Sequence, residues 1–184
     1  YSTSAKALAE LVANGLTAGT RVDVDVDSNP IEGIQKITVT DNGAGMTAEE
    51  LKDRFVVVGV LPPDCDQTTR LGRFGVGRLA VHRVGTVSHW STVARCKDNR
   101  KICSSFELRD ETHDLVVKEE EVPEDTQTGT RIEIHNILDE KEVPTPARLR
   151  GEFLAQFCAY LLANRDQRIV VQGEPLDVDA MVAT

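Results

Sequence analysis

Arg21 to Asp27 alternates without a break, with Val22, Val24 and Val26 set against Arg21, Asp23, Asp25 and Asp27. A period of two marks a strand with one buried and one solvated face. The aspartate row reads as that solvated face, because calcium loops take their ligands from a turn. Before it, Leu8, Leu11, Val12 and Leu16 recur at helical spacing. They predict a helix over residues 3 to 16, with Ser2 to Ser4 as caps and Gly15 and Gly19 marking its weakening and its end. After it, Ser28-Asn29-Pro30 turns the chain into a second strand, Ile34 to Thr40. Thr47-Ala48-Glu49-Glu50 has the form of a capping box and predicts a helix to Val57.

Residues 59 to 75 are rich in Gly, Pro, Asp and Thr. They read as a long loop of the kind that forms lids or binding segments. A short helix is predicted from Val76 to Arg83, then strands over Thr86–Ala94, Lys101–Leu108, Leu115–Glu121 and Arg131–His135. Thr145 to Ala163 reads as a second long helix whose apolar side is Leu149, Phe153, Phe157 and Leu161, and Arg168–Val171 is a closing strand. This order predicts an α+β fold, a layer of helices on one mixed sheet, within a single domain spanning residues 1 to 184.

Composition narrows the function more than the fold. Hydrophobic residues make up 40% of the 184, enough for a core, but only 4% are aromatic, so Val, Leu, Ile and Ala must fill it. A net charge of −9 argues against gripping a nucleic-acid backbone directly, although Arg70, Arg73, Arg78 and Arg83 form a local basic patch. No apolar run is long enough to span a bilayer, so no membrane partner is expected. Cys65, Cys96, Cys103 and Cys158 lack any paired spacing and read as reduced thiols of a cytoplasmic protein. His82, His89, His113 and His135 also lack ligand spacing. A chain beginning at Tyr1 reads as a fragment of a longer protein.

The run Asp41-Asn42-Gly43-Ala44-Gly45-Met46 follows the second strand directly. A carboxylate there is a fixed acceptor for the exocyclic amine of adenine, and the missing side chains at Gly43 and Gly45 leave room for a flat ring. An ordinary turn is the other reading. Glu10 and Asn14 lie four residues apart on one helical face. They are either solvated polar positions or, beside a nucleotide, a base that polarises water and a hard oxygen ligand for Mg²⁺. Gly72-Arg73-Phe74-Gly75-Val76-Gly77-Arg78 would turn successive N–H groups toward an anion, or is simply flexible. It is neither a Walker A loop nor a Rossmann fingerprint. Gly129-Thr130 places a hydroxyl at the start of a strand.

In this order, these segments resemble the GHKL superfamily of ATP-binding domains, which groups DNA gyrase B, the ninety-kilodalton heat-shock chaperone, sensor histidine kinases and MutL. Glu10 to Asn14 matches the N box, Asp41 to Met46 the first glycine motif and Gly72 to Gly77 the second. The resemblance implies a Bergerat-type two-layer α/β sandwich that binds Mg²⁺-ATP under a mobile lid, closest to the chaperone and MutL-like hydrolysing branches. It implies that Asp41 accepts from the adenine amine with help from Thr130, beside Gly43, Gly45 and Met46. Asn14 would ligate Mg²⁺, and Gly72, Arg73, Gly75, Val76 and Gly77 would wrap the phosphates. Glu10 would be the general base, which distinguishes hydrolysing members from kinases. Two departures stand out. Thr17 replaces an acid, and Gly15 should loosen the helix by roughly 1 kcal/mol relative to Ala. The implied function is slow ATP hydrolysis in a module whose lid closure drives other domains of a parent protein or a nucleotide-dependent homodimer. A non-catalytic interaction module and a histidine or serine kinase remain the alternatives.

Overall fold

The computed structural model describes residues 3–56, 80–109 and 116–182. Its first helix, α1 (Ser4–Ala18), is capped by Thr3, whose hydroxyl accepts the Lys6 N–H at 3.3 Å. The helix runs through Gly15 without interruption and ends at Gly19. Leu8, Leu11, Val12 and Leu16 are buried as their spacing requires, and Ala5, Ala7, Ala9 and Ala13 are buried beside them. So many small residues let the helix lie close against its neighbours. The polar side chains Lys6, Glu10, Asn14 and Thr17 form the one stripe that reaches solvent.

Among the described residues, eight strands form a single sheet in the order β5-β4-β3-β6-β2-β1-β7-β8. They are β1 (Arg21–Asn29), β2 (Gly33–Asp41), β3 (Gly85–Arg95), β4 (Lys101–Arg109), β5 (Lys118–Val122), β6 (Gly129–Ile137), β7 (Arg168–Val171) and β8 (Glu174–Pro175). Neighbours are antiparallel except β1 and β7, which run parallel. The fold is therefore α+β with a mixed open sheet, as the element order predicted.

The register gives the sheet two unlike faces. Val24, Val39, Ile132, Trp90 and Phe106 stand in one row across five strands, and Val26, Ile37 and Ile134 in the next. These rows carry the helix layer. Besides α1 it holds α2 (Ala48–Val56), α3 (Val81–Val84), α4 (Pro146–Ala163) and α5 (Val178–Val182). The predicted capping box is formed at α2: Glu50 accepts the Thr47 N–H at 2.8 Å, and Thr47 accepts the Glu50 N–H at 3.3 Å. Phe55 then packs edge-on against Trp90 and Phe106. In α4 the four predicted apolar side chains are the ones buried.

The opposite face is polar and, among the described residues, carries no helix. Lys36, Glu133 and Arg131 join there in one ion-paired group, and His89 lies 3.3 Å from Glu107. Gln172 does a strand's work at the sheet edge, its amide accepting the Val26 N–H and donating to the Val26 carbonyl. Residues 59 to 75 and 76 to 79, predicted as a lid loop and the start of a helix, lie outside the described residues. Of that predicted helix, Val81–Val84 is observed. The strand predicted over Leu115–Glu121 appears as Lys118–Val122. β8 and α5 were not expected, being too short to show a period.

Candidate functional site

The helix-side face carries one row that is not apolar. Asp41 stands opposite Val22 at the end of β2, and Thr130, Thr92 and Ser104 continue the line across β6, β3 and β4. Thr92 and Ser104 are fully buried and Thr130 nearly so. A carboxylate and three hydroxyls inside a helix–sheet interface are costly unless they are paired or have a use.

Asp41 is held by one of its two oxygens. Its Oδ1 accepts the Gly43 N–H at 2.8 Å and the Thr130 N–H at 3.2 Å. Among the described residues, Oδ2 makes no hydrogen bond. Burial pushes the carboxyl above the usual range, and the two backbone N–H groups only partly offset this. The result is a desolvated acceptor whose orientation is fixed and whose second oxygen is left over.

Glycines at 43 and 45 serve a different purpose from the one expected. A Cβ at Gly43 would lie 2.7 Å from the Ala18 carbonyl, and one at Gly45 would run into the Val93 carbonyl. The space freed is filled by protein backbone and not by room for a ring. Gly45 also has φ of +72°, a left-handed conformation that favours glycine. The two residues fold the turn down onto the end of α1 and onto β3. Asn42 fastens the same turn from the other side, accepting the N–H groups of Thr20 and Arg21 at 2.9 and 2.8 Å.

Gly15 needs a similar correction. Its propensity cost is set against a contact: α1 runs through it unbroken, and a Cβ there would lie 2.7 Å from Val22 Cγ2 and 3.2 Å from Asp41 Cβ. Glycine is what lets the helix rest directly on the carboxylate's own Cβ. This brings the last turns of α1, with Asn14, to the pocket end of β2. Glu10 is half-buried and Asn14 exposed on the polar stripe. Thr17 turns its hydroxyl back onto the Ala13 carbonyl at 2.8 Å, so it does not replace the missing acid.

Met46 and Thr130 meet through a residue that the sequence did not single out. Thr92 Oγ1 accepts the Met46 N–H at 2.8 Å and lies 3.2 Å from both the Gly129 carbonyl and Thr130 Oγ1. Its signal was present: counting by twos from Trp90 puts Thr92 on the buried face. Asp41, Met46, Gly43, Gly45 and Thr130 are thus brought together, with Asn14 on the adjoining helix. Gly72, Arg73, Gly75, Val76 and Gly77 lie outside the described residues. Asp41 and Thr130 also border a groove of about 470 Å³ that runs onto the open face. Arg21 and Arg131 along it are engaged with Asp23 and Glu133.

No group of three or more His, Cys, Asp or Glu side chains among the described residues could hold a metal ion. A cation here would therefore depend on an oxygen such as the Asn14 amide plus oxygens of the ligand itself. That suits Mg²⁺, which commonly binds through few protein ligands and substrate phosphates.

Comparison with known proteins agrees with this geometry. The family model described as histidine kinase-, DNA gyrase B-, and HSP90-like ATPase matches residues 1–141. A protein named DNA mismatch repair protein MutL from Bradyrhizobium sp. (strain ORS 278) is 29% identical over 147 residues, covering 79% of this chain and 22% of the relative. One of the same name from Phenylobacterium zucineum (strain HLK1) is 30% identical over 158 residues, covering 79% and 23%. The chain thus spans about a fifth of the length of these relatives. With the matched family model covering most of its length, the chain belongs to the histidine kinase-, DNA gyrase B- and HSP90-like (GHKL) ATPases.

Proposed function

We propose that this domain binds Mg²⁺-ATP through its adenine amine and hydrolyses it slowly as the nucleotide module of a larger protein. The observation that carries the reading is Asp41: a half-buried carboxylate fixed through one oxygen by two backbone N–H groups, its other oxygen making no hydrogen bond among the described residues. An exocyclic amine is the donor that such an acceptor suits. Thr130 stands next to it and can take part directly or through a water.

The remaining roles follow from chemistry and position. Asn14 would offer its amide oxygen to Mg²⁺, whose charge would neutralise the phosphates. Glu10, one turn earlier, would hold and polarise a water for attack on the terminal phosphate. Residues 72 to 77 would supply backbone N–H groups to the phosphates, with Arg73 alongside. Closure of that segment on ATP would signal to other domains of the parent or to a second copy. The names of the relatives favour a DNA-repair parent over a chaperone. A glutamate at position 10 favours hydrolysis over phosphoryl transfer to a protein side chain.

Calorimetry with a non-hydrolysable ATP analogue, with and without Mg²⁺, tests the binding. Saturable binding that tightens with Mg²⁺ is expected, and none at millimolar nucleotide would leave an interaction module. A turnover assay tests the chemistry. Slow phosphate release should fall by roughly 10²–10⁴-fold in Glu10→Ala, the usual contribution of a general base. Release that survives that substitution removes Glu10 from the mechanism.

A further inference from the structure

Thr92 makes three polar contacts with one hydroxyl, and only one arrangement of hydrogens satisfies all three. A threonine hydroxyl has one hydrogen to donate and two lone pairs to accept with. The Met46 N–H, 2.8 Å away, can only donate, so it takes one lone pair. The Gly129 carbonyl, at 3.2 Å, can only accept, so it takes the hydrogen. What remains for Thr130 Oγ1, also at 3.2 Å, is the second lone pair of Thr92. Thr130 must then donate its own hydrogen to Thr92. Its lone pairs are left for the ligand, on the residue whose own N–H is accepted by Asp41 Oδ1 at 3.2 Å.

We infer that Thr92 is a positioning residue for nucleobase selection: it fixes the Thr130 hydroxyl as an acceptor, so that Asp41 and Thr130 together read an exocyclic amine. This rests on the nucleotide reading above and adds to it the source of base specificity. Two acceptors on neighbouring residues match the two N–H groups of the adenine amine. They oppose a base that carries a carbonyl at the same place, such as hypoxanthine. Thr92 is fully buried, so water does not compete for its hydrogen bonds.

The test compares ADP with inosine diphosphate, which differs at that position, by calorimetry in the presence of Mg²⁺. Wild type should prefer ADP. In Thr92→Val the shape is kept but the hydroxyl is lost, and Thr130 becomes free to rotate and donate to the inosine carbonyl. The preference should narrow roughly tenfold, the worth of one well-placed hydrogen bond. Thr92→Ser should restore it. Thr130→Val should narrow it by a similar factor, and the double variant should narrow it no further.

A merely structural Thr92 would give a different result. Valine also strips the Met46 N–H of its partner, which would weaken both nucleotides in equal proportion. Equal losses, or an unchanged preference, overturn the inference while leaving nucleotide binding intact. Wild type that binds neither nucleotide overturns the nucleotide reading and this inference with it. Should Thr92→Val fail to fold by thermal melting, Thr92→Cys makes the same comparison with a thiol that donates and accepts only weakly.

Discussion

Two carboxylates on opposite faces of the same sheet, Asp41 and Glu133, are treated in opposite ways. Glu133 lies on the open face, where Arg131 and Lys36 reach it at 2.9 and 3.1 Å and hold its carboxyl below the usual range. Asp41 lies on the helix face with two backbone N–H groups and, among the described residues, no cation, and burial holds it above the usual range. Strand chemistry allows either outcome, so the difference marks purpose. A paired, solvated carboxylate tidies a surface. A desolvated one with an unspent oxygen imposes a cost that folding alone gives no reason to keep.

The largest expected effect follows from removing that cost. Asp41→Asn keeps an oxygen that can accept from Gly43 and Thr130 but loses the charge and turns a donor toward the ligand. ATP affinity should fall roughly a hundredfold, as for a lost hydrogen bond to a charged group. The sign of the stability change is opposite. A carboxyl raised by folding contributes stability below its unfolded pKa and loses it as pH rises through the folded value. At neutral pH the variant should therefore melt no lower than wild type, and its advantage should shrink as pH drops below the carboxylate range. Thermal melts across pH check this. A variant that melts well below wild type at neutral pH would make Asp41 a structural residue.

The next effect separates two glycines inside helices. At Gly15 a Cβ would press on Val22 and on Asp41, whereas at Gly151 in α4 it would meet nothing within 4 Å. Gly151→Ala should stabilise by roughly 1 kcal/mol, the ordinary helix gain. Gly15→Ala collects the same gain but overpacks the seat of α1, which costs about 1–3 kcal/mol. It should come out neutral to destabilising and should also weaken nucleotide binding by displacing Asp41. Paired chemical denaturation curves decide it. Equal stabilisation at both sites would mean that α1 does not rest on Asp41 as described.

These residues also show where sequence reading stops. The strict alternation of Arg21 to Asp27 and the four apolar positions of α4 fixed local period and burial in advance, because both depend only on spacing. Asp41, Thr130, Glu10 and Asn14 could be picked out from ordered motifs. What spacing cannot supply is what lies opposite. The register that sets Thr92 against Thr130 and Ser104 joins residues far apart in the chain. The same holds for Gly15, whose neighbours Val22 and Asp41 come from two different strands. Read locally, that glycine weakens a helix; read in the fold, it permits a contact. Gly43 and Gly45 were assigned to the right turn for the wrong reason, since their freed space faces backbone that the sequence does not bring near.

The smallest effect is expected on the open face, and its smallness is the point. Glu133→Gln breaks the link between Arg131 and Lys36, both partly solvated, and should cost less than about 1 kcal/mol, falling further in high salt. Nucleotide affinity should not change. The pH dependence should mirror that of Asp41. A carboxyl lowered by folding contributes stability above its unfolded pKa and loses it as pH falls through the folded value. Acidification thus removes what Glu133 contributes while relieving what Asp41 costs. Against wild type, Asp41→Asn should melt no lower and Glu133→Gln slightly lower at neutral pH, and both differences should close over the acid range. If both variants shift the same way, the two faces of the sheet are not electrostatically distinct, and the case for Asp41 as the unspent acceptor loses its contrast.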